Sequence, residues 1–219
     1  MTPSKIIRSK RRTLSISIND NAELIVRAPH KLSIDKIHDF IIEKEKWLNK
    51  QKKIVNKRLS DSFLDKDMAL YLGSLFPIKT AQSQSNKLTF NGEEFLAGSS
   101  EQEIINLSLK KWYKNKFKEV AIPRLTYFAD KYNISVNQVR IKEQKTLWGS
   151  CSSRNNINLN YLLIMAPMYV IDYVIIHELV HTIHKNHSAN FWKTVESIMP
   201  NFKEAKSWLK EFGYKLRKL

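Results

Sequence analysis

Apolar and polar positions alternate near the start of the chain, with Leu14, Ile16 and Ile18 on one side, a polar Asn19-Asp20-Asn21, then Leu24, Ile25 and Val26. A period of two broken by turn-forming residues predicts a β-hairpin within residues 4–28. The period then lengthens. After Ser33, a favourable N-cap residue, Ile37, Phe40, Ile41 and Trp47 recur at helical spacing. One helix is expected from there to about Arg58, with those four on its buried face. Residues 69–97 return to strand-like runs: Leu70-Tyr71-Leu72-Gly73, Phe76 to Thr80, and Leu88-Thr89-Phe90 before an Asn91-Gly92 turn.

Gly98-Ser99-Ser100 marks a change of composition. It is the expected boundary between a β-rich region with one helix (1–98) and a second region (99–219). The second region opens with a long helical pattern over 100–132, where Pro123 predicts a kink or break. Strands follow at 139–142 and 147–152, then a Ser153-Arg154-Asn155-Asn156 turn and a strand over 157–163. After Pro167, residues 168–185 contain neither glycine nor proline and are apolar on most of a helical circumference (Ile171, Ile175, Ile176, Leu179, Val180, Ile183). Such a helix is buried rather than surface-bound. Asn186 can end it, and Ser188 can cap a further helix over 189–199. Asn201 and Glu204 have capping-box spacing for a last helix carrying Trp208 and Leu209 and stopping near Gly213. The chain is therefore expected to be an α+β protein.

Composition narrows the class. A 42% hydrophobic share is that of a soluble protein with a core. The longest apolar region, 162–176, is interrupted by Pro167 and Asp172 and is too short to span a bilayer, so no membrane partner is expected. The basic residues 1–12 are followed by no apolar stretch of a secretory signal. The single cysteine, Cys151, excludes an internal disulfide and fits a reducing compartment, so a cytoplasmic location is expected. Net charge is +16, and residues 1–58 hold 15 Lys/Arg against 6 Asp/Glu, including Lys10-Arg11-Arg12 and the run over 50–58. Such patches attract phosphates, which admits a nucleotide or nucleic acid as partner; solvated basic helix faces give the same numbers.

The candidate chemistry lies in the buried helix. His177-Glu178-Leu179-Val180-His181 is H-E-x-x-H. On a helix its two histidines face one side and can close on one metal ion, with Glu178 placed to take a proton from a water on that ion. His177, His181 and His184 make a polar stripe on an otherwise apolar helix. A third ligand from the same helix face would crowd the first two, whereas one returning after a turn can approach from the side. His187 is therefore the expected third ligand and His184 the alternative, with a role for His184 in supporting a ligand or touching substrate. Three protein ligands leave a fourth position for water, as catalytic zinc requires.

Trp148-Gly149-Ser150-Cys151-Ser152-Ser153-Arg154, Ile157-Asn158-Leu159-Asn160, the H-E-L-x-H helix, and Asn186-His187-Ser188 with Phe191-Trp192 together resemble the YgjP-like metallopeptidase family. The resemblance is dense over 140–200 and extends in outline to the whole chain. It implies a zincin-like catalytic half with a small antiparallel sheet and one Zn2+ held by His177, His181 and His187. Glu178 would be the catalytic carboxylate and a peptide or protein the substrate. The family is similar to the SprT-like proteases. Metzincins share the histidine spacing but have glycine where this chain has His184.

In zinc-dependent proteases an edge strand above the metal helix pairs with an extended substrate. The segment around Trp148 to Cys151 is the candidate wall of that cleft. Gly149 allows close backbone approach. Trp148 reads as core packing first and substrate contact second, Cys151 as a small buried residue. Arg154 reads as a solvated turn residue, with oxyanion or phosphate binding as its functional alternative. Phe191 and Trp192 are expected to pack the following helix against the metal helix. The leading function is metal-dependent hydrolysis of peptide bonds. Two rivals stand beside it: a metal-dependent nucleotide (nucleoside triphosphate) pyrophosphatase, and a nucleic-acid-associated protein with a structural metal site.

Overall fold

The structure is a computed structural model that describes residues 1–19, 21–60, 67–81 and 87–217. Asp20 of the expected turn and the side chains of residues 57–60, the end of the basic run, lie outside the described residues. Contacts divide the chain into two compact units, Met1–Phe63 and Leu64–Leu219. The boundary expected at 98–99 falls inside the second.

In the first unit β2 (Ser15–Ile18) pairs antiparallel with β3 (Leu24–Pro29), which is the expected hairpin, and β1 (Lys5–Ser9) adds to β3 in parallel. Leu24, Val26 and Ala28 alternate along β3 and are all buried against Ile37, Ile41 and Leu48. Ser33 caps α1 (Ile34–Glu43) by accepting from the Lys36 amide at 3.4 Å. The single expected helix is interrupted at Lys44, and α2 runs over Glu45–Ser60. Leu48 and Val55, two turns apart, take its buried positions, while Trp47, expected inside, is 45% exposed.

The second unit begins with β4 (Met68–Tyr71), β5 (Ser74–Thr80), β6 (Leu88–Phe90) and β7 (Phe95–Ala97), a sheet of order β4-β5-β7-β6. The β4–β5 turn docks on the segment leading to the metal helix: Leu72 and Gly73 donate to the carbonyls of Ile164 and Met165. Gly73 has φ +86° and its absent Cβ would meet Pro167 at 2.8 Å, so only glycine fits.

Helix α3 (Gln102–Lys131) runs unbroken through Pro123. Pro123 is on the exposed face, as is Glu119, whose carbonyl loses its amide partner and is left to solvent. Every fourth residue from Ile105 to Ala129 is buried. At 3.6 residues per turn such a stripe advances about 40° per step and winds round the helix. Helix α3 accordingly meets β6, β8, the 3-10 turn Tyr161–Met165 and α4.

Strands β8 (Gln138–Lys142), β9 (Gly149–Cys151) and β10 (Asn156–Asn160) form a sheet of order β8-β10-β9. It is not the antiparallel sheet expected: β8 pairs with β10 in parallel and only β9 pairs antiparallel. After β8 the chain crosses to the far edge and runs back as β9, so β10, laid between them, points the same way as β8. The strand expected over 157–163 stops at Asn160, whose side chain accepts from the Leu162 amide and turns the chain into the 3-10 segment.

Helix α4 (Met168–Ile183) then enters the middle of this unit, touching α3, β9, β10, α5 (Ala189–Ile198) and α6 (Phe202–Leu216). That accounts for its apolar circumference. Arg124 of α3 forms a bidentate ion pair with Asp172, the one acid in its first half. Helix α6 passes through Gly213, where it was expected to stop, and ends at Leu216. The glycine answers to packing: a Cβ there would lie 3.1 Å from the Trp148 ring. The capping box at Asn201 does not form; the Glu204 amide bonds the Asn201 backbone carbonyl instead.

Candidate metal centre and active-site cleft

His177 and His181 sit one turn apart on the last half of α4. The helix ends at Ile183, two residues before the expected end, because His184 is extended (φ −117°, ψ 105°). This turns the His184 carbonyl back onto His181 Nδ1 at 3.0 Å. A carbonyl can only accept, so Nδ1 carries the proton and the Nε2 lone pair faces the other histidines.

Three residues on, His187 brings its Nε2 to 3.1 Å from that of His181 and 3.0 Å from that of His177. The loop is pinned where it turns. Ser188 caps α5, and Lys185 donates to Asn155 Oδ1 at 2.6 Å. The His184 ring leaves the cluster and meets Thr194 Oγ1 at 3.2 Å, a hydroxyl that itself donates to Asn190. His184 thus supports His181 through its backbone and ties the loop to α5 through its ring.

Among the described residues His177, His181 and His187 form the one group of potential metal-binding side chains that converges. Zinc–nitrogen bonds of about 2.0–2.1 Å at tetrahedral angles would separate such nitrogens by about 3.3 Å. The observed spacings are close to that, and a single N–H cannot satisfy three facing lone pairs, whereas a cation can. The residues fit a metal ion.

Electrostatics agree. Burial, then the neighbouring His181 and His187, and then Lys206, push His177 down to about 3, so it is neutral at pH 7. Burial also lowers His181, opposed by its bond to the His184 carbonyl. Both are in the ligating, unprotonated form.

Phe191 was expected only to pack helices. It is fully buried beneath the cluster, its ring 4.9, 4.5 and 4.8 Å from those of His177, His181 and His187. Trp192 stacks on His187 at 5.6 Å. Its place four residues after His187, on the helix that follows, was the signal for Phe191 as a floor.

Glu178 lies beside the cluster and is 4% exposed. Burial raises its carboxyl to about 8, and Oε2 has no hydrogen-bond partner among the described residues. Gly149 lies directly against it: a Cβ there would fall 2.6 Å from both Cγ and Oε1 of Glu178. Strand β9 is an edge strand, packed on α4 with its outer side unpaired among the described residues. Gly149 is therefore what lets an open strand edge approach the carboxylate.

A cleft of about 240 Å³ opens here, with His177, Glu178 and Gly149 at one end and Trp148, Tyr173 and Leu209 as walls. Trp148 is half-buried: it packs on Gly213, lies under the Arg217 guanidinium at 4.5 Å, and lines the cleft.

Its rim is held by Asn160, a residue without an assigned role in the sequence. Asn160 is fully buried and donates to the carbonyls of Gln144 and Leu147, while its amide bonds the Trp148 carbonyl. Asn160 falls outside the alternation of Ile157 and Leu159, at the end of β10, and nothing local in the sequence pointed to its burial. Arg154 is exposed in the β9–β10 turn and does not line the cleft, and Cys151 is half-buried and outside the histidine cluster.

A helix-borne H-E-x-x-H with a third histidine, beside a buried carboxylate and an open strand edge, defines a metal-dependent hydrolase. The family model described as the YgjP-like metallopeptidase domain matches residues 12–212, and the chain belongs to that family. No curated protein matches. Two crystal structures of metallopeptidase zymogens are similar over part of the chain. Abylysin of Pyrococcus abyssi is 24% identical over 42% of this chain and 95% of its own, with a TM-score of 0.39. Jannalysin of Methanocaldococcus jannaschii is 23% identical over 43% and 94%, with a TM-score of 0.35. No helix among the described residues is long and apolar enough to cross a membrane.

Proposed function

We propose that this chain is a zinc-dependent peptidase in which His177, His181 and His187 hold one zinc ion per chain and Glu178 is the general base. The observation that supports it most is the convergence of three Nε2 atoms beside a buried carboxylate, at the end of a cleft open to a free strand edge. A zinc ion held there would supply a Lewis acid that polarises the scissile carbonyl and acidifies the attacking water.

The protein's part is proton handling and alignment. Burial alone would keep Glu178 protonated, but a cation beside it would favour the carboxylate, which takes the proton of the attacking water and returns it to the nitrogen of the leaving amine. The outer edge of β9 pairs with the extended substrate backbone and carries the scissile carbonyl past Glu178. Phe191 beneath and Trp192 beside the histidines keep bulk water from their apolar side.

A peptide is favoured over a nucleoside triphosphate by the lining of the cleft, where Lys206 is the only lysine or arginine among the described residues. Triphosphate recognition draws on several cationic donors. The free thiol of Cys151 fits a reducing compartment, and the reading is of a cytoplasmic enzyme.

The test is hydrolysis of casein and of short peptides by zinc-loaded protein, with Glu178→Gln as control. The variant should keep its zinc and lose activity by about 10²–10⁴-fold, the range for removal of a general base. Full activity in the variant, or pyrophosphate release from nucleoside triphosphates with no peptide cleaved, would contradict the reading.

A further inference from the structure

We propose that the cleft beside Glu178 is a subsite for a carboxylate-bearing residue of the substrate, with Lys206 as the group that recognises the charge. The inference rests on the peptidase reading above and names what that peptidase prefers.

The cleft extends from His177 and Glu178 along Tyr173 and Val174, the preceding turn of α4, and is closed by Trp148 and Leu209. At about 240 Å³ it is smaller than pockets that enclose drug-sized ligands, and suits one side chain. Its walls are mostly apolar and would cover the stem of that side chain. Lys206 is its one lysine.

Lys206 is exposed, and its ammonium lies over an aromatic face: Nζ stands 4.0 Å from the centre of the Trp192 ring. The Trp192 ring also stacks with those of Phe202 and His187. The Trp192 and His177 ring centres are 5.9 Å apart. From the metal cluster the charge is thus reached by two or three residues of extended peptide, at about 3.4 Å each. Lys206 makes no ion pair with a carboxylate among the described residues. The carboxylate nearest the chemistry, Glu178, is buried and makes no ion pair with Lys206. A cation without a carboxylate partner among the described residues, over an apolar slot, is complementary to a short apolar stem ending in a carboxylate. The net charge of +16 draws acidic chains toward it.

Such a carboxylate has two sources, an acidic side chain or the C-terminus of a peptide. The experiment uses zinc-loaded enzyme and fluorogenic peptides that differ at one position within three residues of the cleaved bond. Glu, Gln and Lys are compared there, each with a free or an amidated C-terminus.

Glu should exceed Gln by about fivefold in kcat/KM, mainly through KM, as an exposed charge pair allows. The preference should vanish in Lys206→Met, which keeps an apolar stem over Trp192, and turn toward Lys in Lys206→Glu. It should weaken with added salt. A Glu preference that survives amidation assigns the site to an acidic side chain; discrimination that requires the free C-terminus assigns it to the terminal carboxylate. Equal rates for Glu and Gln, or an unchanged preference in Lys206→Met, overturn the proposal while leaving the peptidase reading intact.

If no peptide is cleaved, the peptidase reading falls instead. Calorimetric binding of the Glu and Gln peptides to metal-loaded Glu178→Gln, with and without Lys206→Met, then decides the subsite by itself. Binding of the Glu peptide that depends on Lys206 supports it, and equal binding overturns it.

Discussion

The two sides of the cleft are built on different principles. On one side the three histidines, the glutamate and the ring beneath them fall within fifteen residues, His177 to Phe191, and the bonds that orient them are local. His181 leans on the carbonyl of His184, and Ser188 caps the helix that delivers Phe191. On the other side Gly149 and Trp148 stand where they do because of residues distant in sequence. Asn160 grips the preceding loop, Gly213 of α6 makes room for the indole, and Arg217 covers it and bonds the Thr146 carbonyl. The lesson is a separation of labour. Metal affinity should be a local property of the α4–α5 turn, and catalysis should depend on remote packing that aligns the opposite wall.

The sharpest way to break that separation is Gly149→Ala. Its Cβ would lie 2.6 Å from Glu178 and displace the carboxylate or the strand. Activity should fall by about 10²-fold, as a misplacement of about 1 Å can cost, while zinc content stays unchanged. Loss of metal in this variant would show that the two sides are not separable.

Asn160→Ala should act more mildly and through the rim. It strips two donors from the loop and leaves the buried Leu162 amide without its acceptor. Thermal or denaturant unfolding should show a loss of about 1–3 kcal/mol. KM should rise, and metal affinity measured by competition with a chelator should hold.

The smallest effect concerns pH and the metal-free protein. His177, with its pKa lowered from 6.5 to about 3, is charged in the unfolded chain but neutral in the fold between those values, so it costs stability as pH falls through that window. Glu178, raised from 4.5 to about 8, is protonated in the fold but ionised when unfolded, so it costs stability as pH rises toward 8. The two oppose each other between 4.5 and 6.5 and act alone on either side. Glu178→Gln should therefore flatten the decline between pH 6.5 and 8 in a chemical denaturation series. An unchanged slope there would mean that the burial of Glu178 does not govern it.

The same division explains what was legible in the sequence. The metal side could be read because its information is contiguous: H-E-x-x-H on a glycine-free helix, then a turn residue, a third histidine and a cap. The convergence of His187 and the departure of the His184 ring follow that reading. The far wall could be read only in outline. Gly149 announced a close approach but not that Glu178 was the group approached, and Gly213 looked like a helix stop because its partner, Trp148, is 65 residues away in the chain. Local rules also misjudged Pro123, whose cost is small where the freed carbonyl is solvated. They missed the parallel pairing of β8 with β10, which follows from β9 running back at the far edge before β10 is laid down between them. Lys206 and Asn160 gave no local signal of function, since a lysine on an amphipathic helix and an asparagine near a strand end are both ordinary.

We propose that three histidines, and not the fourth nearby, hold the metal. Metal analysis of purified His187→Ala beside His184→Ala, each loaded with zinc and passed over a desalting column, decides between them. About one zinc per chain is expected in His184→Ala, as in the parent protein, and almost none in His187→Ala. A His187→Ala protein that stays full while His184→Ala comes through empty would contradict it.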